Sequence, residues 1–267
     1  QGSAGPADSP WPMFGKNGRN SKSFQTKVHH VDDDAPEGGD GSGWGSAFKY
    51  LQDALGAVRP GDEIWVAEGI YKPDRGAGNA RGDRTLSFSL KNKVDTYGGF
   101  NGTETERKPL GDHNRTVLSG EIDDNSTLRS LHVVTAMEIN ATLSGFQIVK
   151  GNANGRAEDS NGGGLYVTGS ALTVGKCVFS DNVATTGGGI YSYDSSLSVV
   201  DCSITGNTAN HGFGDGGGLY LSNRYGVESK SVIIDTDFTA NGGGAVEVIN
   251  SSPLFERCKF HKNYSNL

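Results

Sequence analysis

The stretch GGGLYVTGSALTVGKCVFSDN, residues 162–182, is matched in pattern by GGGIYSYDSSLSVVDCSITGN, residues 187–207. Both stretches place three glycines, an apolar residue with a tyrosine, a cysteine and an asparagine in the same order. Apolar residues alternate with polar ones between them, as Leu172 and Val174 do, and this period of two is typical of a strand with one buried face. The triple glycines begin at Gly162, Gly187, Gly216 and Gly242. A glycine-punctuated unit of roughly 25 residues predicts one coil of a parallel β-solenoid.

The recurring residue types have a physical reason in such a coil. Glycine is expected at corners that need a positive φ or a close approach of two backbones. Asparagine is expected to tolerate the left-handed conformation and to hydrogen-bond its copy on the next coil, about 4.8 Å away. Cys177 and Cys202 would lie on adjacent coils, and their parallel Cβ directions favour a stack of thiols over a disulfide. Cys258 is expected to be free.

Composition agrees with a turn-rich β protein and excludes several other classes. Glycine accounts for 41 of 267 residues, proline for 8, and 34% of the residues are hydrophobic, which fits neither collagen nor a disordered chain. The net charge is −7 and no basic patch is present, so we expect no nucleic-acid partner. No apolar run approaches the roughly 18 residues of a membrane span, so we expect no spanning segment.

The chain is predicted to consist of an N-terminal extension, residues 1–27, and a single β-helix domain, residues 28–267. A helix over about residues 46–58 is expected to cover the open N-terminal end of the solenoid, because an uncovered end exposes unpaired backbone. Regular coils are predicted over residues 143–263. The C-terminal end is expected to be uncapped, which would allow end-to-end self-association.

The capping helix is predicted from an apolar stripe at helical spacing, with Ser46 as its N-cap. The stripe consists of Phe48, Leu51, Leu55 and Val58. The sequence DEIWVAEGIY, residues 62–71, follows directly and is predicted to be the first strand.

The repeats also carry a family resemblance. The Gly-Gly-Gly-Ile-Tyr motif at residues 187–191 and the Phe-x-x-Asn motif at residues 179–182 and 238–241 resemble the repeats of polymorphic outer-membrane proteins and related secreted bacterial proteins of the pectin-lyase-like superfold. The stretches 31–73 and 97–109 are similar to the N-terminal region of those proteins. One departure is that the first glycines form a triplet instead of Gly-Gly-Ala.

This resemblance implies the fold class that we predict, an all-β, right-handed parallel β-helix with an N-terminal capping helix. It also implies a secreted, extracellular or cell-surface location. It does not imply one activity, because the superfold includes lyases, hydrolases and adhesins.

An acidic and basic cluster is predicted on the outside of two or three adjacent coils. Its members are Asp201, Asp235, Asp237, Arg257 and Lys259. Such a group could be the catalytic site of a polysaccharide lyase or glycoside hydrolase that acts on an acidic polysaccharide. The simpler interpretation is a set of complementary cross-strand pairs on a solvated face.

A row of tyrosines, one on each of three coils, is a second candidate site. Tyr166, Tyr191 and Tyr220 would contact sugar rings if they point outward, but they would belong to the core or a corner if they point inward. When the glycine triplets are aligned, Glu247 corresponds to Leu221. If the tyrosines point outward, Glu247 would therefore point inward. Two insertions near these strands could form the walls of a groove, with a rim consisting of Arg224, Tyr225 and Lys230.

An acidic glycine-rich loop, DDDAPEGGDG at residues 32–41, is a candidate Ca²⁺ site. Asp32, Asp34 and Asp40 would be the ligands, although the loop lacks EF-hand spacing and also fits a solvated turn. No other cofactor is expected.

Two functions therefore follow from the sequence. The first is a secreted or cell-surface β-helix without catalysis that presents a repetitive face for adhesion, carbohydrate contact or assembly. The alternative is a polysaccharide lyase or glycoside hydrolase centred on the acidic cluster. A polysaccharide or cell-surface glycan is the expected partner in both cases.

Overall fold

A computed structural model describes residues 26–107, 116–122, 127–210, 215–226 and 229–265. These residues form the predicted right-handed parallel β-helix, in which every strand pair that joins successive coils is parallel. The predicted extension over residues 1–27 lies, as far as residue 25, outside the described residues.

Three long sheets run along the solenoid, and a fourth short sheet lies at one corner. The eight-stranded sheet contains, in spatial order, β1 (Val28–Val31), β2 (Glu63–Ala67), β5 (Asp95–Phe100), β8 (Asn140–Ser144), β12 (Ala171–Gly175), β16 (Ser196–Val200), β20 (Val232–Ile234) and β23 (Leu254–Glu256). The seven-stranded sheet contains β3 (Gly69–Tyr71), β6 (Thr116–Ser119), β9 (Gln147–Val149), β13 (Val178–Ser180), β17 (Ser203–Thr205), β21 (Asp237–Thr239) and β24 (Lys259–His261). The six-stranded sheet contains β4 (Phe88–Ser89), β7 (Val134–Met137), β11 (Leu165–Thr168), β15 (Ile190–Tyr193), β19 (Leu219–Ser222) and β22 (Val246–Ile249). The short sheet contains β10 (Asn152–Ala153), β14 (Val183–Ala184) and β18 (Thr208–Ala209).

The core is a set of apolar columns inside the coils. Leu172 pairs with Leu197, and Phe179 pairs with Ile204, so like side chains lie directly over one another. All four are almost completely buried. Because alternate residues of each strand point inward, the neighbouring columns face solvent, and this alternation decides which side chains are available for function.

Glycine has both of the predicted roles at the corner before the six-stranded sheet. Gly187 has a φ of +64°, which a residue with a side chain adopts only with strain. A Cβ on Gly188 would lie 2.4 Å from the carbonyl oxygen of Thr208, so the coils can approach only where no side chain intervenes.

The asparagine column is confirmed, but the asparagines themselves do not adopt the left-handed conformation. The positive φ belongs to the preceding residue, as in Asp181 at 56° and Gly206 at 64°. The Asn207 Nδ2 donates to the carbonyl of Phe179 at 2.9 Å, and its Oδ1 accepts from the backbone N–H of Asn182 at 3.2 Å. The column therefore satisfies the buried backbone groups that the corner leaves without strand partners.

The cysteines are thiols, as predicted. The backbone N–H of Cys177 points at the Sγ of Cys202 at 3.4 Å, and both side chains are buried. Burial raises the pKa of the Cys177 thiol to about 12. Cys258 is also free and is only partly buried.

The capping helix is shorter than predicted. Helix α1 spans Leu51–Ala57, and its N-cap is Tyr50, whereas Ser46 ends a separate 3₁₀ turn, Trp44–Ser46. Phe48 does not belong to the helix, because its backbone bridges that of Val31. Leu51, Ala54 and Leu55 are buried against the first coils, and α1 contacts β1, β2 and β4.

The first strand is also different from the predicted one. Residues Val28–Val31 precede the helix and pair in parallel with Glu63–Ala67, so the segment predicted as the first strand is the second and third. Periodicity did not show this strand, because it has only four residues and two of them are histidines.

The last glycine triplet is shifted by one residue relative to the others. In earlier coils the first glycine of each triplet has positive φ, whereas here the second and third do, Gly243 at 86° and Gly244 at 93°. Glu247 therefore pairs with Tyr220, and Val248 pairs with Leu221. The alignment that placed Glu247 on the inward row is wrong.

Several apolar side chains of the last coil are not covered by any other described residue. Leu254 and Tyr264 are each 55% exposed, and Phe260 is 53% exposed. End-to-end self-association through this coil stays a prediction. Among the described residues, no helix combines the length and the apolar character needed to cross a membrane.

Candidate functional site

The predicted tyrosine row lies on the outer face of the six-stranded sheet. Leu165 and Val167 point into the core on either side of Tyr166, and the same alternation holds around Tyr191 and Tyr220. These tyrosines therefore lie outside the hydrophobic cluster of the core, although Tyr166 itself is only 7% exposed. We call Tyr166, Tyr191 and Tyr220 the tyrosine column.

The rings of the column stack on one another along the solenoid axis. The ring centroids of Tyr166 and Tyr191 are 5.4 Å apart, those of Tyr191 and Tyr220 are 5.2 Å apart, and both pairs are within 5° of parallel. Both faces of the Tyr191 ring are consequently covered by its neighbours. A sugar ring cannot stack on either face of Tyr191, and the column offers ring edges and hydroxyls to a ligand instead.

The hydroxyls of Tyr166 and Tyr191 make no hydrogen bond within the described part of the chain, and both hydroxyl oxygens reach the solvent-accessible surface. They are therefore available to water or to a ligand. Burial, followed by the neighbouring phenols, raises the pKa of Tyr191 to about 12. The column is thus neutral over the physiological range and can both donate and accept hydrogen bonds.

One edge of the column ends at His132 and a short insertion. The ring of His132 lies 5.1 Å from that of Tyr166. The 3₁₀ turn Ala157–Ser160 precedes β11 and brings Asp159 to the same place, with its Oδ1 3.9 Å from the Nε2 of His132. Neither residue was predicted, because His132 lies in an early, irregular coil and Asp159 lies in an insertion outside the repeat.

The predicted rim follows the C-terminal end of β19, whereas that insertion precedes the N-terminal end of β11. The backbone N–H of Arg224 donates to the Asp194 carboxylate at 2.7 Å, and the two side chains form an ion pair. Tyr225 is 94% exposed, so both faces of its ring are open. Lys230 is exposed on the same loop. The predicted groove depends in part on residues 211–214 and 227–228, which lie outside the described residues.

The acidic and basic cluster is arranged as ion pairs at a corner. Asp235 is bound through both oxygens by Arg257, at 2.6 and 2.8 Å, and Lys259 Nζ lies 3.6 Å from Asp237. Asp201 and Asp235 have positive φ and occupy turns, not a flat strand face. Asp237 starts the next strand, beyond the buried Thr236.

The electrostatics of this cluster differ from those of a general acid. The hydrogen bonds from Arg257 lower the pKa of Asp235, and the carboxylates of Asp235 and Asp237 are about half exposed. A catalytic acid requires a raised pKa, which burial or a neighbouring carboxylate provides. The geometry corresponds to the other interpretation of the cluster, complementary charge pairs on a solvated face.

The acidic loop brings together a different set of carboxylates from the predicted one. Oxygens of Asp32, Asp33 and Asp34 lie within 4.8 Å of one another. Asp40 is held elsewhere by Ser42 and Ser46, whose hydrogen bonds lower its pKa to about 2. Asp33 takes the place of Asp40 in the predicted set, and its carboxylate accepts a hydrogen bond from the backbone N–H of Ile70 at 2.9 Å. Calcium binding there stays a prediction.

Comparisons with known proteins agree with this description of the fold. A family model described as the right-handed β-helix region matches residues 139–266. No match was found among curated proteins.

Three solved structures show the extent of the likeness. The chain is similar to a pectin methylesterase variant in complex with a hexasaccharide, at 11% identity and a TM-score of 0.45, with 89% of this chain and 67% of that chain covered. It is similar to a rhamnogalacturonan lyase at 12% identity and a TM-score of 0.47, with 90% and 62% covered. A pectin methylesterase from Aspergillus niger has 13% identity and a TM-score of 0.37, with 91% and 87% covered.

The chain spans about two thirds of the length of the first two of these enzymes. At such identities the likeness concerns the fold alone, and their activities are not transferred to this chain.

Proposed function

We propose that this protein is a secreted or cell-surface β-helix without catalytic activity that binds a polysaccharide along the outer face of the six-stranded sheet. The observation that carries the proposal is the tyrosine column, in which three phenols repeat in register on adjacent coils. The hydroxyls of Tyr166 and Tyr191 have no hydrogen-bond partner among the described residues. A polysaccharide also presents hydroxyls at a regular repeat, so one chain can bond to several coils at once.

The mode of contact follows from the ring geometry. Because the ring faces of the column cover one another, a ligand on the column would be bound by hydrogen bonds to the hydroxyls and by van der Waals contacts with the ring edges. Stacking on a sugar ring requires an open aromatic face, and Tyr225 offers one. The ion pair between Arg224 and Asp194 holds the start of that loop against the preceding coil.

The enzymatic alternative has weaker support. It requires the carboxylates of Asp235 and Asp237 to exchange protons with a substrate, but they are engaged by Arg257 and Lys259 on an open corner. Within the part of the chain that the structure describes, no specific contact favours a lyase or hydrolase over the binding function.

The proposal predicts that two small changes on the face weaken polysaccharide binding. Tyr191→Phe removes one free hydroxyl and keeps the ring stack, so we expect the affinity to fall about threefold to tenfold, the value of one hydrogen bond. Tyr225→Ala removes the open ring and should reduce affinity by a similar factor. Affinity electrophoresis of the full chain in gels that contain neutral or acidic polysaccharides measures both effects.

The matched control is Tyr264→Phe, which makes the same chemical change at an exposed tyrosine outside the column and should leave binding unchanged. The wild-type chain incubated with uronate polymers should release no unsaturated product. Absence of binding to every polysaccharide, equal binding by all variants, or product formation that Asp235→Asn abolishes would each contradict the proposal.

A further inference from the structure

His132 lies at the end of the tyrosine column with one ring nitrogen committed. Its Nδ1 is 3.0 Å from the carbonyl oxygen of Gly162, and since a carbonyl can only accept, Nδ1 carries a proton and donates it. In the neutral ring, Nε2 is therefore a hydrogen-bond acceptor. This nitrogen faces Asp159.

The pair formed by His132 and Asp159 lacks a direct hydrogen bond. The distance of 3.9 Å from Nε2 to Oδ1 exceeds that of a hydrogen bond. Burial lowers the pKa of His132, although the backbone of Gly162 and Asn161 and the carboxylates of Asp159 and Glu158 act in the opposite direction. With a neutral imidazole, two acceptors face each other beside the Tyr166 ring, and two donors from a ligand, one for each acceptor, would satisfy both.

We propose that His132, Asp159 and Tyr166 form a subsite for an uncharged sugar residue of the bound polysaccharide. Two adjacent hydroxyls of the sugar donate, one to His132 Nε2 and the other to the Asp159 carboxylate. The Tyr166 hydroxyl, which has no partner within the described residues, bonds to the same sugar or the next one. This inference rests on the proposed function and names the class of its ligand.

The carboxylates near the column disfavour an acidic polymer as the preferred ligand, although Lys230 at the rim is an exposed cation. Glu158 and Asp159 lie near Tyr166, and Asp215 and Glu247 lie near Tyr220, since these carboxylates raise the pKa values of the two phenols. Arg224, at the rim, is paired with Asp194. A uronate polymer would add its negative charges to these carboxylates, and like charges repel.

The test compares three polymers of different charge in affinity gels: an uncharged glucan or galactan, polygalacturonate, and chitosan. We expect wild-type protein to bind the uncharged polymer at least about tenfold more tightly than polygalacturonate at low salt, with the gap narrowing as salt screens the repulsion. Asp159→Asn, an isosteric change at an exposed side chain, should weaken binding to the uncharged polymer about threefold to tenfold. The control, Asp237→Asn, removes a carboxylate at a distant corner and should have no effect.

His132→Phe provides a second variant that keeps an aromatic ring against Tyr166 while removing the acceptor. It should reproduce the loss seen with Asp159→Asn, and circular dichroism checks that the fold is kept. If Asp159→Asn and His132→Phe both bind normally while Tyr191→Phe is impaired, the subsite is wrong and the proposed function stands.

Two further outcomes would overturn the subsite. Polygalacturonate binding as tightly as the uncharged polymer would contradict the charge argument. Tighter binding of chitosan than of the uncharged polymer, lost in Asp159→Asn and in high salt, would indicate a site for a cation instead. If no polymer binds at all, the proposed function itself fails.

Discussion

Asn207 illustrates how one residue joins three coils. Its amide accepts hydrogen bonds from both the backbone N–H and the Nδ2 of Asn182 and donates to the carbonyl of Phe179, on the preceding coil. Its backbone N–H donates to the Oδ1 of Asn241, on the following coil, at 3.0 Å. All of these groups are buried, so Asn207→Ala would leave them without partners. We expect the free energy of unfolding to fall by about 2–4 kcal/mol, measured by urea denaturation. Asn101→Ala, at an exposed side chain, is the control, and an equal loss in both variants would show that the column has no special role.

The corner before the six-stranded sheet is the element that sets the spacing between coils. Gly188→Ala would place a Cβ 2.4 Å from the Thr208 carbonyl oxygen and 2.8 Å from that of Gly217. Because both atoms are backbone, they cannot move without separating the coils, and we expect a loss of roughly 2–3 kcal/mol in urea unfolding. Gly56→Ala, in helix α1 with no atom near the added Cβ, should keep or raise stability. Unchanged stability in Gly188→Ala would mean that the coils are packed less closely than described.

Across the whole molecule, buried phenols and thiols make stability depend on alkaline pH. The folded-state pKa values of Tyr97, Tyr191 and Cys177 are each raised to about 12, chiefly by burial. A raised folded-state pKa stabilises the protein below the unfolded-state pKa and loses this contribution as the pH rises through the folded value. We expect the urea midpoint to fall between about pH 9 and pH 12, and less steeply in Tyr191→Phe. A midpoint that is flat over this range would show that these groups are more exposed than the structure indicates.

The sequence alone determined the architecture of this protein. The period of two along each strand, the repeated glycines and the phenylalanine and asparagine positions specified a parallel solenoid, since equivalent residues can be buried or paired only when the coils stack in register. They also predicted the tyrosine row, with its direction left open, the pair of Asp235 with Arg257, and the thiol state of Cys177.

Only the tertiary structure decided what the columns present to solvent. A one-residue shift at Gly243 placed Glu247 beside Tyr220. Alignment of the glycine triplets does not show this shift, although Asn241 directly precedes Gly242 whereas other residues lie between Asn182 and Gly187. The ring faces of the column are turned toward each other, because identical side chains in register on adjacent coils are only one coil spacing apart and stack. The meeting of His132 with Asp159 likewise joins an irregular coil to an insertion, and no periodic pattern can relate two such segments.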